Sequence, residues 1–241
     1  MKRVFSHAWN FYRNKFPIII LFSIPLFIAF LVSWLVPAPS YLAAGSVLIR
    51  TGSLPEMDLF SIAVTVISYL LSILIVSYTL TNLNLLIKEK RTRVKTKTES
   101  IKSIAKYTIK IFILLILLKV ITLFLQLFTY GLEFQNLLYP VLMGIVSVMF
   151  FFVPPAVVID EKDTFYSLFT SIKLVIKKPV LVLLWIIFGL LAISVTELIL
   201  FFLFGPVFGG YLTMLVNCLF ILPFLIILNI HMYMERYPLA R

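Results

Sequence analysis

Six long apolar segments constrain this chain more than any other feature of its sequence. They lie at residues 16–36, 60–86, 111–130, 137–158, 180–204 and 211–233. Each reaches the roughly 20 residues that a helix needs to cross about 30 Å of hydrocarbon. The segments do not alternate between polar and apolar residues, which favours helices over barrel strands. We therefore expect an all-α, polytopic membrane protein with six transmembrane helices.

The composition supports a membrane protein that consists of one domain. Of the 241 residues, 62% are hydrophobic and only 13% are charged, so a soluble globule could not hide most of its surface. No polar stretch is long enough for a separate soluble domain, and residues 1–241 are expected to form a single integral membrane domain. The net charge of +11 does not indicate nucleic-acid binding, because the cations lie in short segments between apolar runs.

The distribution of Lys and Arg predicts the orientation, because these residues stay on the cytoplasmic side near span ends. Of the 21 cations, 19 lie in the N-terminus, the second connection, the fourth connection and the C-terminal tail. Arg50 is the one cation in the other connections, and Lys119 lies inside a span. Six spans with both termini cytoplasmic is the arrangement consistent with this split.

The second connection carries the densest charge, in the stretch IKEKRTRVKTKTES from Ile87 to Ser100. Its predicted cytoplasmic basic surface consists of Lys88, Lys90, Arg91, Arg93, Lys95 and Lys97. We expect this surface to lie on anionic lipid headgroups, at about 1 kcal/mol per cation near the membrane. A docking site for an acidic protein partner at residues 88–110 is the alternative.

A unit recurs before spans one, three and five. Each copy is a short segment with apolar residues at helical spacing that ends in one or two cations. Such segments are typical of interfacial amphipathic helices. The sequence thus predicts three helical hairpins, each preceded by a cytoplasmic interfacial amphipathic helix.

The third unit has the clearest pattern. One helix face is formed by Phe165, Leu168, Phe169, Ile172 and Ile176. Three acids precede the helix: Asp160, Glu161 and Asp163. Their negative charges interact favourably with the positive N-terminal end of the helix dipole. Binding of a divalent cation by these acids is the alternative reading.

The stretch FVPPAVVIDEKDTFYSLFTSIKLVIKKPVLVLLWIIFGLL resembles a signature of prokaryotic six-helix membrane proteins. That group includes the membrane domain associated with some glycerophosphodiester phosphodiesterases. SHAWNFYRNKFP and NIHMYMERYP are similar to its other recurrent features, so the resemblance covers most of the chain. It implies a fold class and a multi-pass protein of a prokaryotic plasma membrane. It does not imply the phosphodiesterase activity, because this sequence lacks the soluble phosphodiesterase domain.

Ionisable residues inside a span suggest function, because they cost about 2.5 to 3.5 kcal/mol at the centre of the bilayer. Depth along the spans predicts an intramembrane polar cluster of Lys119, Gln126, Glu197 and Asn217. A transport or ligand site is one reading of this cluster. A structural ion pair with hydrogen bonds between helices is the second, and a Lys119 that extends to the cytoplasmic interface is the third.

The remaining polar residues carry less information. Asn82, Asn84, Asn229 and His231 are expected near the cytoplasmic interface, where amides and imidazoles cost little. No nucleophile elbow, phosphate loop or zinc motif occurs, and no metal or cofactor is predicted. We therefore expect a non-enzymatic membrane module or subunit. The alternatives are a small transporter or permease component, or a lipid-handling protein, with a polar site at Lys119 and Glu197, and a membrane enzyme acting on lipid.

Overall fold

The residues that the structure describes are helical apart from one short hairpin of strands. A computed structural model describes residues 2–35, 41–44, 47–50, 59–92, 99–132 and 134–235. The helices are α1 (Lys2–Asn14), α2 (Phe16–Leu35), α3 (Leu59–Thr92), α4 (Glu99–Thr129), α5 (Gln135–Met149), α6 (Val153–Ile159), α7 (Thr164–Lys177), α8 (Pro179–Val216) and α9 (Leu222–Met234). A π-helical turn, Asn217–Ile221, joins α8 to α9. The strands β1 (Tyr41–Ala44) and β2 (Val47–Arg50) pair antiparallel.

The prediction of membrane-spanning helices is confirmed in a coarser form than six spans. Within the described ranges, four helical stretches could cross a membrane by length and composition: Ala63–Glu89, Ser103–Thr129, Gln135–Ile159 and Pro179–Met234. The count rises to five when α1 and α2, which meet at an angle of 89°, are taken as one bent span. These stretches are consistent with a membrane protein.

The last stretch is too long for one crossing, and the chain folds back within it. Gly205 has φ 77° and ψ 170°, a backbone conformation that is accessible essentially only to glycine. Beyond this break the chain returns along the first part of α8. The Trp185 indole N–H donates to the carbonyl oxygen of Leu225 at 2.9 Å, and Lys178 pairs with Glu235 at 3.1 Å.

Two of the three predicted amphipathic segments are separate helices, and the second is not. α1 ends before Phe16-Pro17 and α7 ends before Pro179. Proline favours a helix start at its own position and disfavours helical geometry in the residue before it. Between Glu99 and Thr129 there is no glycine or proline, and the predicted surface segment runs unbroken into the third span as α4. The prediction of a separate helix there is wrong.

α9 lies at the centre of the packed core. Phe224, Ile227, Ile230 and Tyr233 are all buried, and α1, α3, α6 and α8 pack around this helix. The far part of α8 is the opposite case, because its large apolar side chains are exposed, up to 89% for Phe202. An apolar surface of this kind suits contact with lipid. The well-packed end of the bundle is also the end that holds the site described next.

Candidate functional site

The most polar part of the described interior begins where α5 and α6 are interrupted. Pro154 and Pro155 carry no backbone N–H, so the carbonyl oxygens of Phe150 and Phe151 lose their usual helical donors. The break also changes the local hydrogen-bond pattern. The N–H of Val153 donates to the carbonyl oxygen of Phe150, three residues earlier, at 3.0 Å. The carbonyl oxygens of Met149 and Phe151 and the N–H of Phe152 then need partners from elsewhere in the molecule.

Side chains from two other helices supply those partners. The Ser171 hydroxyl on α7 donates to the carbonyl oxygen of Met149 at 2.7 Å and accepts the N–H of Phe152 at 3.0 Å. The Asn229 amide on α9 donates to the carbonyl oxygen of Phe151 at 3.0 Å. The interruption is therefore closed by hydrogen bonds, and it fixes α7 and α9 against α5 and α6.

The chain then enters an acidic turn, residues 160–163, that binds one lysine from each end of the second connection. The Lys88 ammonium at the end of α3 donates to Glu161 Oε1 at 2.6 Å and to the carbonyl oxygen of Val158 at 2.8 Å. Lys110 on α4 donates to Asp163 Oδ1 at 3.0 Å and to the carbonyl oxygen of Lys162 at 3.1 Å. The acidic turn thus fixes both α3 and α4.

Asp160 connects the same turn to α9. Its Oδ2 accepts the hydroxyl of Tyr233 at 2.7 Å and lies 3.4 Å from the Lys162 ammonium. Its side chain is nearly buried, with 4% of its surface exposed. Because a carboxylate in such a place needs compensating donors, the Tyr233 hydroxyl is a structural requirement of the turn. We call the acidic turn with Lys88, Lys110, Ser171, Asn229 and Tyr233 the polar hub.

The electrostatics of the turn favour its charged form. The hydrogen bond from Lys88 lowers the pKa of the Glu161 carboxyl below its ordinary value, although partial burial acts in the opposite direction. The hydrogen bond from Lys110 lowers the pKa of Asp163 in the same way. Glu161 also has a positive φ of 55°, which is uncommon for a residue other than glycine and is held here by its partners.

The described part of the chain offers no metal centre at this position. The acids of the turn face lysine and tyrosine, and within the described ranges no three His, Cys, Asp or Glu side chains converge. The arrangement suits mechanical connection between helices. It supplies neither an unpaired base nor a ligand set.

The predicted intramembrane cluster is not joined by direct contacts. No hydrogen bond or ion pair among described residues links any two of Lys119, Gln126, Glu197 and Asn217. The first three side chains are exposed, and Asn217 has a buried Oδ1 with no partner in the described structure. The cluster stays a prediction.

Lys119 instead faces a cavity between three helices. Its Nζ lies 5.1 Å from the centre of the Tyr69 ring on α3, close enough for a cation–π contact. The cavity, of about 250 Å³, is also lined by Ala29 on α2 and by Leu115 on α4. Since Tyr69 lies towards the start of α3, the lysine side chain extends away from the polar hub.

The six residues of the predicted basic surface do not share one environment. Lys88 is 19% exposed and engaged by the acidic turn. Lys90 and Arg91 belong to the last turn of α3, and Arg93, Lys95 and Lys97 lie outside the described residues. Lys88 therefore stabilises the bundle by binding the acidic turn.

Most of the polar hub was not predicted from the sequence. Asn82, Asn84 and Asn229 were expected near the cytoplasmic interface, and all three side chains are buried in the bundle. The Pro154-Pro155 pair was the available signal, because two adjacent prolines release two carbonyl groups that must find donors. The partners themselves, Ser171 and Asn229, have no local signature.

No family model, curated protein or solved structure matches this chain, and the family resemblance stays a prediction.

Proposed function

We propose that this chain is a non-enzymatic integral membrane module or subunit of a prokaryotic plasma membrane. It crosses the bilayer six times as three hairpins, with both termini cytoplasmic. The polar hub joins the hairpins at the cytoplasmic end, and the exposed apolar helices contact lipid or a partner subunit.

One observation carries this proposal: the ion pairs of the described residues lie in parts of the chain that the charge distribution assigns to the same side. They connect the end of α3, the start of α4, the acidic turn, the end of α7 and the end of α9. An arrangement with these segments on opposite faces would separate the partners by the full thickness of the bilayer, about 30 Å.

The proposed partner of the second connection is the anionic surface of the cytoplasmic leaflet. Lys88 is already bound to the acidic turn, so the remaining cations of residues 90–97 supply the attraction. An acidic protein bound to residues 88–110 is the alternative partner. Vesicles with and without phosphatidylglycerol separate the two, because only lipid binding depends on the anionic lipid.

The topology is tested by cysteine labelling in intact bacterial cells. Cys218 is the one cysteine and is buried, so Cys218→Ser gives a background without thiols. Single cysteines are then placed as Lys97→Cys, Glu133→Cys and Ala240→Cys. A membrane-impermeant maleimide should label position 133 from outside, and positions 97 and 240 only after the cytoplasmic face is opened. Labelling of position 97 from outside would refute the proposed arrangement.

A second candidate function is a small transporter or lipid-handling protein with its site at Lys119. The cavity beside Lys119 and Tyr69 is the observation that favours it. A transport pathway must be hydrated, so Lys119→Cys should react with a water-soluble maleimide, whereas Phe124→Cys, which is exposed on another face of α4, should not. Equal lack of reaction at both positions would exclude a hydrated pathway there and favour the non-enzymatic module.

A further inference from the structure

An open apolar groove lies between α5 and α7. Its volume is about 400 Å³, within the range of small-molecule sites. The α5 side is lined by Val141, Gly144, Ile145 and Val148, and the α7 side by Ile172 and Ile176. The groove lies next to the break that Ser171 closes, and hence at the same end of the bundle as the polar hub.

α7 is oriented with its apolar face outward. Ser167, Thr170 and Ser171 are buried against the bundle, whereas Phe165, Phe169 and Ile176 are 69%, 69% and 73% exposed. A helix on the surface of a water-soluble protein has the reverse arrangement. The outward face of α7 therefore suits the boundary between headgroups and acyl chains.

Two lysines of α7 are next in sequence to residues that line the groove. Lys173 directly follows the groove residue Ile172, and Lys177 directly follows Ile176. Both ammonium-bearing side chains are exposed, and neither forms an ion pair with a residue that the structure describes. Because they are four residues apart, they lie on the same side of α7 and can approach one anionic group together.

Gly144 makes the groove deeper. A glycine inside a helix costs about 0.5–1 kcal/mol relative to alanine, and close packing against a neighbour is the usual compensation. Here no heavy atom lies within 4 Å of the position that a Cβ would take. The absence of a side chain at residue 144 thus leaves open space that another molecule can occupy.

We propose that this groove binds one anionic phospholipid from the leaflet next to α7. An acyl chain lies between α5 and α7, and the phosphate is held by Lys173 and Lys177. This inference rests on the proposed function in one respect, since it needs the exposed face of α7 to contact the bilayer. It adds a lipid site that is distinct from the second connection and from the cavity beside Lys119.

The test uses the full chain in nanodiscs that contain equal amounts of phosphatidylglycerol and phosphatidylcholine. Lipids that stay bound after extraction are measured by native mass spectrometry. The wild-type chain should retain phosphatidylglycerol in preference to phosphatidylcholine. Lys173→Gln combined with Lys177→Gln should lower the affinity for phosphatidylglycerol by roughly thirtyfold, from two cations near the membrane surface. Arg13→Gln, which removes an exposed cation on α1, should leave it unchanged.

Filling the groove gives the second arm. Gly144→Phe should abolish retention by occupying the space of the acyl chain, while Gly144→Ala should retain the lipid. Gly144→Leu replaces the phenylalanine variant if the latter does not fold, as judged by thermal unfolding. Equal retention of both lipids, or unchanged retention in a folded groove-filling variant, would overturn the proposal. The cysteine labelling is independent of lipid retention, so failure of the topology and failure of this site are distinguishable.

Discussion

Replacement of Ser171 by alanine is the sharpest test of the interrupted α5–α6 helix. The hydroxyl is fully buried and makes two hydrogen bonds, one to Met149 at 2.7 Å and one from Phe152 at 3.0 Å. Alanine removes both and changes little else, because it deletes a single oxygen. The partly buried carbonyl oxygen of Met149 and the buried N–H of Phe152 are then left without this partner.

The expected loss follows from those two groups. Leaving a buried backbone group unsatisfied costs about 1–3 kcal/mol in proteins generally. Hydrogen bonds between transmembrane helices average about 0.6 kcal/mol, which gives a lower limit near 1 kcal/mol for two. Because Ser171 is fully buried, we expect Ser171→Ala to lower the free energy of unfolding by about 2–4 kcal/mol. Ser171→Cys, which retains a weak donor, should fall between alanine and the wild type.

The assay is reversible unfolding in mixed micelles, in which the fraction of denaturing detergent is varied and unfolding is followed by tryptophan fluorescence and by circular dichroism. Ser147→Ala is the matched control. This serine lies in α5, is exposed, and makes no side-chain hydrogen bond with the residues described. If Ser171→Ala and Ser147→Ala differ by less than about 0.5 kcal/mol, the hydroxyl does not hold the break together and the reasoning is wrong.

Three further predictions concern the charged turn and the fold-back in α8. Lys88→Met should lower the free energy of unfolding by about 1–3 kcal/mol in the same titration, because both acceptors of the ammonium lose their donor. The pKa values of Glu161 and Asp163 are lowered in the folded state, so both carboxylates stabilise the fold at pH values above their unfolded-state pKa of about 4. This stabilisation is lost as the pH falls through the folded-state pKa values. Glu161→Gln combined with Asp163→Asn should therefore flatten the dependence of stability on pH below about 5, and an unchanged profile would contradict the assignment. Gly205→Ala should cost about 1–3 kcal/mol through its positive φ, whereas Gly210→Ala, in helical backbone, should be neutral or slightly stabilising in thermal unfolding.

The helices were predictable because apolar runs of this length have few other folded states. The separate α1 and α7 were predictable for a related reason, since Pro17 and Pro179 mark where each following helix begins. The wrong prediction of a separate helix at the start of α4 came from treating a cation at the end of a segment as a boundary. Lys110 does not end a helix, because its side chain can leave the helix surface and reach Asp163.

The polar hub was less predictable, and the reason is physical. Ser171 lies 19 residues from Phe152, and Asn229 lies 78 residues from Phe151. Helical periodicity reports only neighbours within about one or two turns, so it cannot pair a released carbonyl with a donor on another helix. Depth matching along spans has the same weakness. It placed Lys119 and Glu197 at one level without showing which helices are adjacent.

The central position of α9 has a consequence for how the protein is made. α1 packs on α9, and the Tyr12 hydroxyl reaches the carbonyl oxygen of Phe220 across 208 residues of sequence. During synthesis the surfaces of the earlier helices that face α9 therefore stay uncovered until that helix has emerged from the ribosome. The core around α9 is therefore completed late in synthesis. Until then, quality-control proteases have their best access to the chain.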